Sequence, residues 1–227
     1  LLGLGTWMLT SHTEEAVRRA LDGGYRMIDT SGDYQTQPGI GQAIAASGMP
    51  RDSLYVVTKV EEDDDGYEAT RKNLDELKLD YADLVLIHRP PKRGVGEKIW
   101  NGLIRARNEG LTRDIGVSSY KIAQIEQLAE KTGEMPAVNQ IEWSPFGHSL
   151  DMLSFCRANE ILIQAWSPLT RGKRLDNARL TELARDHGKS AAQVILRWNL
   201  QHGVVPLPKA MRAEHQLPPA KGFLDTW

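Results

Sequence analysis

One cysteine, Cys156, stands in a chain of 227 residues. That excludes a disulfide within the chain and favours a reducing compartment. Inside "MLSFCRANE" it reads as a small core residue on a helix rather than a nucleophile. Charge of one sign is scarce too. The 28 Lys and Arg against 30 Asp and Glu leave a formal −2, so neither nucleic acid nor an anionic membrane is expected as a partner. No apolar run approaches the ~20 residues of a membrane span. No charged-then-apolar leader opens the chain, and a cytoplasmic protein is expected. The first residues, "LLGLGTW", carry no Met, so the chain reads as a piece of a longer polypeptide. With 41% hydrophobic and 26% charged residues, the composition is that of a globular protein. Its length suits one domain over 1–227 with a sizeable core.

Short apolar runs alternate with longer amphipathic ones along nearly the whole length. The expected strands are 2–7, 25–30, 54–60, 83–88, 113–118, 137–142, 161–166 and 204–208. Most are unbroken runs of Val, Ile and Leu, as in "LYVVTKV" and "DLVLIH". Such runs mark strands covered on both faces, hence a parallel sheet. Between them "TEEAVRRALDGG", "GEKIWNGLIRARNEG", "KIAQIEQLAEKTG" and "SAAQVILRWNLQHG" repeat at helical spacing and stop on glycine, a helix C-terminal signal. Strand–helix repeated to an eighth strand predicts an α/β fold, a (β/α)8 TIM barrel. After the eighth strand Pro218, Pro219 and Gly222 interrupt any long helix, so the last helix is expected to be truncated, or its residues to be absent from the chain as given.

In such a barrel the chemistry sits where strands end and loops begin. Those ends give Asp29, then Tyr34 in the next loop, Lys59 after "YVVT", and His88 after "LVLI". Each alone reads as a turn residue, a loop aromatic, a surface charge or a satisfied histidine. Together they are harder to dismiss, because apolar strands have no structural need to finish repeatedly in ionisable groups. A phenol titrates near ~10 and is a poor donor at neutral pH. A neighbouring ammonium favours the phenolate and makes the phenol a better acid. An aspartate beyond the lysine keeps it charged and in place, and a histidine orients the substrate oxygen. The set donates a proton to an oxygen gaining negative charge, as carbonyl reduction requires when hydride arrives from the other side. The acidic run "EEDDD" at 61–65 reads as a solvated, self-repelling loop. No His or Cys set has zinc-like spacing, and no metal is expected.

The segments "GLGTW", "GGYRMIDTSGDY", "VVTKV", "LDYADLVLIHRP", "IGVSSY", "PAVNQIEWSP", "ILIQAWSPL" and "HGKSAAQVILRWNLQHGVVPLPK" resemble the aldo-keto reductase superfamily almost end to end. The resemblance implies a barrel that reduces carbonyls with NADPH, NADH being less favoured. It maps the family's tetrad onto Asp29, Tyr34, Lys59 and His88, with Tyr34 as proton donor. It also implies an extended coenzyme across the barrel mouth, so the glycines of "PGIGQAIAASG" are read as the start of a helix rather than a phosphate loop. By the same resemblance Ser118, Ser119 and Gln140 hold the nicotinamide carboxamide and Trp166 stacks on its ring. Ser167 and Leu169 line the pyrophosphate path, and Lys209 and Arg212 meet the 2′-phosphate. Ser119 departs from the family's usual Asn. Ala210 and "EHQLPP" depart at the adenosine end. Trp7 and Trp143 are placed on the substrate wall. Arg89 stands where many relatives have tryptophan and is open to a substrate carboxylate or phosphate. The expected partner is a small carbonyl compound and the expected state a monomer. A cofactor-binding regulatory or scaffold relative stays open as the alternative. A Schiff-base barrel enzyme using Lys59 is disfavoured by Asp29, since its lysine would lack a paired carboxylate.

Overall fold

The structure is a computed structural model that describes residues 2–209. Eight parallel strands run in chain order: β1 (Gly3–Gly5), β2 (Met27–Asp29), β3 (Tyr55–Val60), β4 (Ala82–Ile87), β5 (Thr112–Ser118), β6 (Val138–Glu142), β7 (Leu162–Trp166) and β8 (Val205–Leu207). Each pairs with the next, and Gly5 donates its N–H to the Pro208 carbonyl at 3.0 Å, bringing the last strand back to the first. Glycine is required at that seam. A Cβ on Gly5 would lie 2.9 Å from the Leu207 carbonyl oxygen, and one on Gly3 would lie 2.4 Å from Leu207 Cδ2. The eight expected strands are all present. The first stops short at Gly5, which leaves Trp7 in a turn.

The outer layer is α1 (Thr13–Asp22), α2 (Gln37–Ser47), α3 (Gly66–Leu77), α4 (Glu97–Asn108), α5 (Ile122–Thr132) and α6 (Leu150–Ala158), then α7 (Ala178–Asp186) and α8 (Ala191–Gln201), both between β7 and β8. Their apolar stripes cover the strands; Trp100 and Leu103 of α4 are fully buried in one cluster with Val85 and Ile87 of β4. The expected truncation of the last helix concerns 210–227, outside the described residues.

The two glycines of "PGIG" serve helix packing. A Cβ on Gly41 would come within 2.2 Å of the Leu77 carbonyl at the end of α3, and one on Gly39 within 2.8 Å of Thr13 Cβ on α1. Backbone cannot yield as a side-chain tip can. Gly41→Val is therefore expected to destabilise the fold by about 1–3 kcal/mol. Thermal unfolding followed by circular dichroism checks this, and an unchanged midpoint would contradict the packing role.

At the opposite end of the barrel, Asp83 shows what an ionisable group does when it is structural. It is fully buried at the start of β4, takes Arg51 at 2.7 Å and Arg113 at 3.0 Å, and accepts the Val56 N–H at 2.8 Å.

Candidate active site

Side chains alternate along a strand, and Lys59 of β3 points into the barrel, 1% exposed, as does Asp29 of β2 at 5%. The ammonium of Lys59 lies 2.9 Å from each carboxylate oxygen of Asp29 and 2.7 Å from the Thr30 carbonyl. All three of its protons are thus used, which is how a buried ion pair offsets its desolvation. Gln140 of β6 donates to Asp29 Oδ1 at 2.7 Å and to Gln164 Oε1 at 2.9 Å. A carboxylate only accepts, so the amide nitrogen of Gln140 is the end that faces the pair.

Threonines pin the loop that comes after β2. Thr6 donates to the Asp29 carbonyl at 2.8 Å, and Thr30 and Thr36 share a hydrogen bond of 2.8 Å. Tyr34 closes a 3-10 turn, Gly32–Tyr34. A Cβ on Gly32 would lie 2.6 Å from Asn73 Oδ1, and Asn73 itself donates to the Lys59 carbonyl at 2.8 Å. The turn is thereby seated against α3 and β3 together. Its phenol oxygen lies 3.4 Å from His88 Nε2 at the end of β4, the two rings meeting edge-on at 5.6 Å between centroids. Lys59 Nζ is 5.0 Å from the centre of the Tyr34 ring. The structure therefore brings Asp29, Tyr34, Lys59 and His88 together at the C-terminal ends of β2, β3 and β4.

One expectation about this group changes. Tyr34 is held well above the ordinary tyrosine range, by burial first and then by Asp29, Asp33 and Glu61, with Arg89 acting the other way. The protons of Lys59 are engaged by Asp29 and Thr30. At neutral pH the phenol is fully protonated.

The acidic run after β3 is more than a solvated loop. Glu61 stands two residues after Lys59, so it returns to the same side of the chain, and its Oε1 lies 2.7 Å from His88 Nδ1. Ser31 Oγ is 3.3 Å from both atoms. Arg89 reaches Asp33 at 3.2 Å and Glu61 at 3.6 Å. The ligating atoms of Asp33, Glu61 and His88 lie within 4.8 Å of one another, and the Arg89 guanidinium supplies the positive charge this cluster takes. Farther along, Asp65 caps α3 by accepting from Tyr67 N and Glu68 N. The sequence hides Glu61 within one charged stretch; its i, i+2 spacing from Lys59 is the signal that could have singled it out.

The tetrad opens into a cleft of about 1340 Å³, larger than the ~300–1,000 Å³ of a typical small-molecule site. Ser118 and Gln140 are register partners across β5 and β6, and both line it. A hydroxyl beside a primary amide suits a carboxamide, which both donates and accepts. Trp166, half-buried at the end of β7, lines the same cleft, as do Ser119, Ser167, Leu169 and Lys209. Ser119 and Ser167 have φ of 61° and 49°, left-handed values that cost a non-glycine residue roughly 1 kcal/mol or more. These residues fit a long ligand with a carboxamide-bearing ring. Trp7 lines the entrance, 43% exposed, with the Arg171 guanidinium 5.0 Å above its ring. Trp143 differs from expectation. It is fully buried in the outer core, stacked on Trp198 of α8 at 6.0 Å, rather than on the cleft wall. Arg212 lies outside the described residues.

A parallel eight-stranded barrel with a polar cluster and a long cleft at its C-terminal face defines a barrel enzyme. The chain belongs to the aldo/keto reductase family, whose sequence model matches residues 1–219. Glyoxal reductase of Bacillus subtilis is 41% identical over 221 residues, 95% of this chain and 79% of that protein. The crystal structure of an aldo/keto reductase from Brucella melitensis superposes with a TM-score of 0.89 at 37% identity, covering 96% of this chain and 86% of that one. An aldo-keto reductase of Bombyx mori in complex with NADP gives a TM-score of 0.89 at 32% identity, covering 100% and 83%. The protein is thus an NAD(P)H-dependent oxidoreductase of the carbonyl-reducing kind. Among the described residues no helix is long and apolar enough to cross a membrane.

Proposed function

We propose that this chain reduces a small, uncharged aldehyde or ketone to the alcohol, with Tyr34 as the general acid. The observation that carries this reading is the Tyr34 hydroxyl beside His88 Nε2 at the mouth of a cleft also lined by Ser118, Gln140 and Trp166. Bound NADPH supplies the hydride. Ser118, Ser119 and Gln140 hold the carboxamide and Trp166 covers the ring. Ser167 and Leu169 border the pyrophosphate, and Lys209 meets the 2′-phosphate. The buried Lys59–Asp29 pair fixes the floor beneath the phenol, and His88 orients the carbonyl oxygen.

A substrate carboxylate at Arg89 is disfavoured, because that guanidinium is already paired with Asp33 and Glu61. Both carboxylates already occupy that guanidinium, which leaves it little to offer a substrate anion. Neutral carbonyls suit this rim, with Trp7 as the apolar wall. The name of the B. subtilis relative gives glyoxal for that protein, a compound of this class. We take the active unit to be one barrel domain over 1–227, acting as a monomer.

A panel of neutral and carboxylate-bearing aldehydes, each assayed with NADPH and NADH, tests the reading. Nitrobenzaldehyde and small dicarbonyls are expected to consume NADPH faster than NADH, and acidic aldehydes to react at least tenfold more slowly. NADPH binding without turnover across the panel would favour the regulatory alternative and overturn this assignment.

A further inference from the structure

Glu61 touches neither the barrel floor nor the coenzyme cleft, yet it makes the shortest contact His88 has, 2.7 Å from Oε1 to Nδ1. A carboxylate only accepts, so Nδ1 carries a proton. The face of the ring turned to Tyr34 is then Nε2, 3.4 Å from the phenol oxygen. In the neutral ring Nε2 accepts from Tyr34. In the charged ring it donates toward the phenol oxygen. We infer that Glu61 is a positioning residue that holds the Nδ1 proton of His88 and stabilises the imidazolium, so that His88 returns a proton to Tyr34 after each reduction. This role rests on the reductase reading.

The proton balance closes. Hydride reaches the carbonyl carbon, and the carbonyl electron pair moves to oxygen, which takes the Tyr34 proton. The resulting phenolate takes the Nε2 proton of His88, leaving a neutral ring still bonded to Glu61 through Nδ1. One proton taken up from bulk solvent through the open cleft, which His88 lines, then restores Nε2, so each turnover consumes one proton. A buried phenolate among Asp29, Asp33 and Glu61 would be costly, which is why burial and these acids hold Tyr34 protonated; a neighbouring proton source removes that cost.

The charged groups facing His88 come from three elements. Glu61 approaches from the end of β3. Asp33, at 3.6 Å from Nδ1, and Tyr34 approach from the turn after β2. Arg89, at 3.5 Å from Nδ1, comes next in its own loop. Behind Tyr34 lie Lys59 and Asp29. Two negative charges thus stand beside the ring, and Arg89 is paired to both of them. Burial works to raise Glu61, but the bond and charge of His88, with Arg89 and Ser31, hold it below the usual carboxylate range.

The test is Glu61→Gln in the full chain, which keeps shape and an acceptor but removes the charge, with Glu61→Asp as the conservative variant. Nitrogen-15 NMR tracks the protonation of the His88 ring, assigned with His88→Gln, and kcat is measured from pH 5 to 9. In Glu61→Gln both the ring titration and the alkaline limb of kcat are expected to move about one unit toward acid. At pH 8 kcat falls about tenfold, while the KM for NADPH stays within about twofold. Glu61→Asp restores part of the shift. Unmoved ring titration and unmoved limb in an active Glu61→Gln enzyme would overturn the inference and leave the reductase reading intact. Absence of turnover in the unsubstituted chain would instead sink that reading, and the ring titration would still decide whether Glu61 holds the proton.

Discussion

Tyr34→Phe is expected to lower kcat for carbonyl reduction by about 10²–10⁴-fold, the range that a positioned general acid contributes. The ring is kept, so its edge-on contact with His88 and its place beside Lys59 persist. Stability should therefore change by little more than one hydrogen bond, about 0.5–1.5 kcal/mol, and NADPH should bind as before. The phenol oxygen alone is removed, and with it the atom that hands over the proton. Stopped-flow or steady-state NADPH oxidation, with coenzyme binding monitored by tryptophan fluorescence, separates the two effects. A Tyr34→Phe enzyme that kept more than a tenth of its turnover would show that another group, such as water or His88, supplies the proton.

Lys59→Met acts on the fold as well as on the chemistry. Lys59 and Asp29 are both buried, and the ammonium satisfies two carboxylate oxygens and the Thr30 carbonyl. Removing one member of such a pair leaves the other charged and undersatisfied, at a cost of about 3–5 kcal/mol. For a barrel of this size that is a fall in melting temperature on the order of 10 °C. Gln140 would remain as a donor to Asp29, which is why unfolding is not expected to be complete. The double variant Lys59→Met with Asp29→Leu should recover much of the lost stability while staying inactive. If the single variant melted within two degrees of the unsubstituted chain, the pair would have to be hydrated rather than dry.

Much of the barrel is legible in residue patterns because parallel strands leave a strong mark. The expected runs 25–30, 54–60 and 83–88 end within a residue of the strands observed, and Asp29, Lys59 and His88 stand at or next to those ends, with Tyr34 in the turn that comes after the first. Side-chain direction beyond a strand end is less legible. Trp143 stands one residue past β6 and three after the inward-facing Gln140, so continued alternation turns it outward, where it stacks on Trp198; that parity, rather than residue type, is the signal to read. Glu61 is hidden for another reason. It does keep the alternation of β3, but its acidic neighbours give the segment the composition of a solvated loop. The ionic state of Tyr34 is illegible as well, since it depends on burial and on three carboxylates brought together from β2, the turn after it and the end of β3.

The carboxylate of Asp29 accepts from Lys59 and from Gln140, a residue 111 positions away in the chain. In the proposed site one partner supports the proton donor and the other aims at the coenzyme. Both halves of the reaction are therefore moored to a single anion, and no substitution there can be tuned for one half alone. Adaptation to new substrates is thus channelled to the rim, where Trp7, Arg89 and Arg171 can vary without disturbing that shared mooring.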